Sequence, residues 1–374
     1  MSAPGAPASA VRGALLVCEA LMLLRDVERP AQWPDLRLLG ERAAISGLTR
    51  RGPRSAGGGY QPVKTGDGWA GLSLVRADDV DCVPALIEAP VDGDAWCAIQ
   101  GWAASQTAEH VASRAQLLGL ACAQIGMESD AQPFEFTLGR PTRLPSTPLV
   151  VDLTSLWAGP LCAHLLGLGG ARIVKVESMH RPDGARFGPA PFFDLVHAGH
   201  EAVALDFATP GGRTALATLV READIVVDSS RPRALRQLGI DADDVVASGT
   251  TWVSITAYGR TGPWVNRVGY GDDVAAAAGL VAYDCGEPMP CGDALADPLA
   301  GVHAAAAALA ALASGHNYLV DVSMRDVAAS TLIIGDETRV AVEPAPPTAR
   351  QPTGHARELG HDTAAVLSEL GIRA

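Results

Sequence analysis

Three kinds of residue in this chain could do chemistry by their type and placement. The first is a carboxylate. Asp297 ends the Gly-containing stretch Cys291-Gly292-Asp293-Ala294-Leu295-Ala296-Asp297-Pro298, just before a long run of small residues over 302–313 that reads as a helix. Such an aspartate can cap the helix, with Pro298 suited to the first helical position, where a missing N–H costs nothing. It can equally be a group presented at the helix entrance. The second kind is arginine. Arg181, in Glu177-Ser178-Met179-His180-Arg181-Pro182, and Arg231, in Asp228-Ser229-Ser230-Arg231-Pro232, both follow the carboxyl ends of predicted strands. Open α/β sheets bind ligands at that edge, and guanidinium forks suit phosphate and carboxylate. Arg186, Arg233 and Arg236 lie nearby with less to single them out. The third kind is glycine. Gly57, Gly58 and Gly59, and the run Gly269-Tyr270-Gly271-Asp272-Asp273, would let backbone N–H groups approach a ligand closely.

Other chemistries find no support. His197 and His200 fall on a predicted loop, and His303 within the Ala-rich helix reads as a hydrogen-bonded core residue. No serine nucleophile elbow, metal-ligand set or CxxC pair is evident. The turn Leu153-Thr154-Ser155-Leu156-Trp157-Ala158-Gly159-Pro160 has the place of a dinucleotide loop, with Glu177 where a ribose would be held. It lacks GxGxxG, and Trp157 would keep a pyrophosphate from the backbone, which argues against NAD. A formal charge of −13 argues against nucleic acid and against a cationic membrane surface. The seven scattered cysteines read as reduced thiols. With no signal peptide or transmembrane span foreseen, the expectation is a soluble, cytoplasmic protein.

These residues need elements to position them. From about 149 to 328 strand and helix alternate: strands over 149–153, 172–177, 202–206, 224–228, 252–256 and 318–323, helices over 160–168, 211–222 and 273–283. The continuous apolar run Leu149-Val150-Val151 is what a fully buried parallel strand requires. Before it, helices are expected over 11–25, 79–88 and 106–125, and Gly66-Asp67-Gly68 joins two short strands in a hairpin. The predicted fold is α/β, a doubly wound, mostly parallel Rossmann-like sheet with a smaller α+β domain placed N-terminally. The expected divisions are a disordered start over 1–10, a small domain over 11–130, and a linker over 131–147. A large domain over 148–330, a Pro-rich linker over 331–355 and a terminal helix within 356–374 follow.

Ala296-Asp297-Pro298-Leu299-Ala300-Gly301 and its Ala-rich helix resemble the catalytic-aspartate segment of the class III CoA-transferases. That family includes formyl-CoA and carnitine CoA-transferases and α-methylacyl-CoA racemase. Asp152-Leu153-Thr154 with Ala158-Gly159-Pro160 resembles the family's opening, and Tyr258-Gly259-Arg260-Thr261-Gly262-Pro263 with Val268-Gly269-Tyr270 its strand-end loop. Gly57-Gly58-Gly59-Tyr60-Gln61-Pro62 and Thr65-Gly66-Asp67-Gly68-Trp69 resemble the family's small domain, which normally follows the catalytic aspartate. The domain order is therefore read as rearranged.

The resemblance implies that Asp297 is the catalytic nucleophile. CoA would be bound by Arg181, Arg231, Leu205, Ala158, Gly269, Tyr270 and Asp272, beneath a cover made by Gly57, Gly58 and Gly59. It further implies acyl-CoA and a carboxylic acid as substrates, no permanently bound cofactor, and a homodimer. A racemase would call for His where Tyr270 stands, and a phenol of pKa about 10 is a poor base at neutral pH. A racemase on 2-methylacyl-CoA and a non-catalytic CoA-binding accessory protein remain as alternatives. One extra residue in the segment leaves the equivalence of Asp272 and Asp273 open.

Overall fold

The computed structural model describes residues 5–127, 132–142, 145–332 and 345–372. Parts of the expected disordered start, of both linkers and of the C-terminus (1–4, 128–131, 143–144, 333–344 and 373–374) lie outside the described residues.

Twelve strands are described: β1 (Tyr60–Lys64), β2 (Trp69–Ser73), β3 (Ala121–Gln124), β4 (Phe134–Pro141), β5 (Leu149–Asp152), β6 (Arg172–Ser178), β7 (Glu201–Leu205), β8 (Ile225–Asp228), β9 (Thr251–Thr256), β10 (Val281–Asp284), β11 (Glu287–Pro290) and β12 (His316–Ser323). Seven of them form the main sheet in the order β4-β12-β9-β8-β5-β6-β7. All neighbours are parallel except β4, which runs antiparallel to β12 at the edge. Without β4 this is the doubly wound order 3-2-1-4-5-6, whose direction of winding reverses between β5 and β8. The loops after those two strands, at 153–157 and 229–231, therefore flank the crevice where such sheets bind ligands.

Both faces of the sheet are covered, so its central strands can be apolar throughout. One face packs against helices Ala158–Leu168, Ala296–Ser314 and Gly5–Leu23, with Val150, Leu161, Leu165, Val253, Leu299 and Val320 at the centre. The other packs against Pro210–Glu222, Ala242–Ser248 and the terminal helix Thr363–Glu369. Leu161, Leu165 and Leu166 are at most 1% exposed, so truncating any of them to Ala should cost about 2–5 kcal/mol. Helix Ala296–Ser314 is long and apolar enough to cross a membrane by length and composition, but most of it is buried in this core. It stops at Gly315, whose φ of +75° ends the helix in the left-handed region.

The N-terminal portion forms a three-stranded antiparallel sheet, β1-β2-β3, around Val63, Leu72, Val83, Leu86, Ile99 and Val111. Its junction with the large unit combines an apolar cluster of Tyr60, Ile125, Ala276 and Val281 with specific hydrogen bonds: Ser73 Oγ donates to Asp273 Oδ1 at 2.8 Å, and the Gly126 N–H donates to the Ala276 carbonyl at 3.0 Å.

Several local expectations are corrected. The first helix begins at Gly5, not after residue 10. Val11, Leu15, Cys18, Met22, Trp33 and Leu38 join the large core rather than a small domain beginning at 11. The helix expected over 106–125 ends at Leu117, because Gly119 turns the chain at φ +74° into β3. Residues 79–88 form two short helices, Ala77–Asp81 and Val83–Ile87, and the helix expected to 283 ends at Ala277 before β10. The segment expected as a linker over 131–147 contains β4, an edge strand pairing Phe136 with Val320.

Candidate active site

Asp297 does not cap its helix. Helix Ala296–Ser314 starts one residue earlier, from Leu295, and has no side-chain cap. Asp297 thus lies in the first helical turn, where the helix dipole favours a negative group, and it stays partly exposed. Its Oδ2 is 2.1 Å from where a Cβ on Gly271 would sit, and the Ala294 carbonyl is 2.5 Å from that point. Only glycine fits there. Burial is the main reason the Asp297 carboxyl is raised to about 7; Arg42 pulls it down, Asp272 and Asp293 push it up, and the Ala158 backbone N–H pulls it down.

Ala158 is buried at the start of helix Ala158–Leu168. Its carbonyl lies 2.6 Å from a Cβ built on Gly301, so the two helices meet closely beneath Asp297. The preceding turn is tightly held. Trp157 packs edge-on against Phe192 at 5.5 Å. Leu156 adopts φ +72°, a conformation that costs a branched residue energy. Its N–H donates to Asp183 Oδ1 at 3.0 Å. Asp183 in turn lies 3.1 Å from the Nζ of Lys175, which is 1% exposed, donates to the Thr154 carbonyl at 2.8 Å and lies 3.7 Å from Asp152. A buried lysine with two carboxylates thus sits under the turn and fixes its shape. A Cβ on Gly159 would meet Thr154 at 2.2 Å, which leaves no phosphate-sized gap there.

The strand-end loop separates its two acids. Asp272 accepts the Ala294 N–H at 2.8 Å and faces the Asp297 loop; burial raises it to about 6. Asp273 accepts from Ser73 and from the Tyr270 N–H at 2.9 Å, and burial raises it to about 7. Asp272 therefore faces Asp297, and Asp273 the junction with the small unit. Tyr270 is held above its usual value by burial, with Arg76 and Arg181 pulling it down. Gly269 is required by packing, since a Cβ would meet Val274 at 2.5 Å and Ala257 at 2.8 Å.

Arg181 is exposed and Arg231 half-buried. Burial lowers the Arg231 guanidinium, and Arg233, Arg76 and Arg181 lower it further by repulsion. Four arginines therefore share one region with Tyr270. Arg76, contributed by the small unit and paired with Asp79 at 2.8 Å, was not singled out in the sequence. Leu205 does not belong with them: it is 3% exposed and packed in the core of the sheet's second face, and its carbonyl is taken by the Met179 N–H.

A Cβ on Gly57 would lie 3.9 Å from an Arg42 nitrogen, which places the glycine loop beside the Asp297 neighbourhood. The loop is closed by the Gly58 N–H donating to the Ser55 carbonyl at 2.8 Å and the Tyr60 N–H donating to Ser55 Oγ at 3.1 Å. Gly58 has φ +82°, and Gly59 packs against Leu74 and Val75. Arg42 was also missed in the sequence; no motif surrounds it. His303 Nδ1 lies 2.8 Å from the Leu299 carbonyl of its own helix, and among the described residues no cluster suits a metal.

Residues 148–356 match CoA-transferase family III. The chain is 30% identical over 205 residues to a succinate–glutarate CoA-transferase of Agrobacterium fabrum, covering 49% of this chain and 51% of that one. It is 30% identical over 202 residues to a formyl-CoA:oxalate CoA-transferase of Escherichia coli, covering 48% of each. A CAIB/BAIF family protein of Brucella suis aligns in structure with a TM-score of 0.46 and 28% identity, over 51% of this chain and 55% of that one. The chain spans about half the length of the curated relatives it matches.

Proposed function

Because the chain belongs to CoA-transferase family III, we propose that it moves CoA from an acyl-CoA donor to a carboxylic acid, with Asp297 as nucleophile. The observation that carries this reading is an aspartate left free of capping, partly exposed, and packed against Gly271, next to the Tyr270 that shares a region with Arg181 and Arg231. Tyr270 links the two regions: it lies within electrostatic reach of Arg181, while the next residue, Gly271, packs against the Asp297 carboxylate.

In the proposed reaction an ionised Asp297 oxygen attacks the thioester carbonyl, the C–S bond breaks, and CoA leaves as thiolate from a mixed anhydride. The thiolate then attacks the aspartyl carbonyl, releasing the donor's acid as a carboxylate and leaving an aspartyl-CoA thioester. An acceptor carboxylate attacks that thioester, and the returning thiolate takes the new acyl group, restoring Asp297. Anhydride and thioester are both activated acyl species, so the group-transfer potential survives each step. Water must be kept out meanwhile, which is the role assigned to the loop at Gly57, Gly58 and Gly59. The arginines at 76, 181 and 231 would take the phosphates of CoA. A homodimer in the cytoplasm completes the reading, with no cofactor held permanently; light scattering on the purified protein checks the dimer.

The test is mass spectrometry of the protein after incubation with a panel of acyl-CoAs, including succinyl-CoA and formyl-CoA. A CoA-mass adduct on the peptide containing Asp297, absent from Asp297→Ala, is expected, along with loss of turnover in that variant. Retained turnover in Asp297→Ala would reject the mechanism. A racemase would instead incorporate deuterium at the α-carbon without any acceptor acid. Tyr270, held above its usual value, is poorly suited to supply its second base.

A further inference from the structure

The carboxylate of Asp297 does not stand alone. Asp272 approaches from helix Gly271–Ala277 and Asp293 from the loop before Asp297's own helix, so three acids meet in one place. From helix Ala158–Leu168 the Ala158 backbone N–H faces the group, and among the described residues the main cation acting on it is Arg42 from helix Glu41–Ser46.

We infer that Arg42 is a positioning residue which keeps Asp297 charged and aimed for attack. Its guanidinium is ion-paired with Asp293, whose side chain is 3% exposed. It also lies 5.7 Å from the centre of the Trp157 ring, next to the Ala158 N–H that faces Asp297. Cation–ring contact and ion pair together fix the plane of the fork. The Arg42 Nε is buried and has no hydrogen-bond partner among the described residues, a donor left with uncommitted capacity in a space crowded with carboxylates. The helix that presents it is anchored one residue earlier. Glu41, 1% exposed, is held in a two-pronged ion pair by Arg350, 2.9 Å at its second contact. Arg42 therefore cannot drift from the acids without breaking a buried pair.

One guanidinium against three acids leaves an excess of negative charge, and Asp272, Asp293 and Asp297 are all raised. Removing the cation must raise Asp297 further, and removing a neighbouring acid must lower it. The two substitutions thus have opposite signatures in the pH profile, which a merely structural role for Arg42 does not produce.

The experiment rests on the Asp297 nucleophile and is arranged to separate the two failures. The acid limb of kcat/KM for acyl-CoA consumption is measured from pH 5 to 9.5 in wild type, Arg42→Gln, Arg42→Lys and Asp293→Asn, with Asp297→Ala as reference. Expected results are a limb moved up by at least about one pH unit in Arg42→Gln, a limb near the wild-type position in Arg42→Lys, and a limb moved down in Asp293→Asn. A one-unit shift lowers activity about tenfold below the limb, with recovery in alkali. CoA affinity should stay within about twofold. A limb that stays in place in Arg42→Gln, or that moves the same way in Asp293→Asn, overturns the inference. If Arg42→Gln does not fold, Arg42→Lys and Asp293→Asn decide. Turnover surviving in Asp297→Ala instead removes the nucleophile reading itself.

Discussion

Gly271→Ala puts the geometry of the proposed nucleophile, Asp297, to a direct test. The added Cβ would sit 2.1 Å from Asp297 Oδ2 and 2.5 Å from the Ala294 carbonyl oxygen. Against an ordinary non-bonded contact of about 3.5 Å, the carboxylate has to retreat by roughly 1.4 Å, because the Ala294 oxygen belongs to backbone. A displacement of that size at a reacting atom costs about 100-fold in rate, equivalent to about 2.7 kcal/mol of activation free energy. Stability should change less. Overpacking costs about 1–3 kcal/mol, and Gly271 opens its helix, where alanine gains little over glycine. The assay is kcat/KM at pH 8.5, where Asp297 is ionised, alongside urea unfolding. Gly101→Ala is the control: nothing lies within 4 Å of its added Cβ in helix Ala95–Ala103, so it should be mildly stabilising and fully active. A folded Gly271→Ala protein with activity within about threefold of wild type would show that this carboxylate is not the attacking group.

Two other outcomes are open to measurement. Arg181→Ala and Arg231→Ala should each weaken CoA binding by about tenfold in 50 mM salt and by less in 300 mM, since screening already weakens the contact; equal loss at both salts would argue against phosphate recognition. His164 is 7% exposed and lowered to about 3 by burial first and Arg350 second. The unfolded chain therefore binds more protons than the folded one between pH 6.5 and 3, and this histidine erodes stability as pH falls through that window. Asp273 and Asp297, raised to about 7, act in the opposite sense as pH falls from 7 toward 3.8. Comparison with His164→Leu isolates the histidine. The variant should gain about 2 kcal/mol on wild type between pH 7 and pH 5 in urea unfolding, and a pH-independent difference would refute the assignment.

The large sheet was legible because its strands are buried on both faces: Val150-Val151 and Val226-Val227 read as strands without help from their surroundings. β4 was missed although Phe134, Phe136 and Leu138 alternate as a strand should, because the Pro-containing, polar residues around it dominated the reading. β3 was missed because Leu118-Gly119 was passed over as a helix stop. Within the site, Asp297 and Asp272 carried a local signal. Arg42 and Arg76 did not: each matters through acids and rings far along the chain, and no spacing in sequence encodes that meeting. Leu205 misled for the converse reason, since its place at a strand end hid an inward-pointing side chain.

The lysine sealed beneath the turn at 154–157 has a wider consequence. Lys175 and its two aspartates set that turn from below, and Asp183 alone secures both Leu156 and Ala185. Substitutions on the outer surface of the turn leave its supports untouched, so it behaves as fixed architecture. Under the proposed function, adaptation to a new acid must then be drawn from segments with no buried ion pair beneath them, among them the stretch running from Gly57 toward β1.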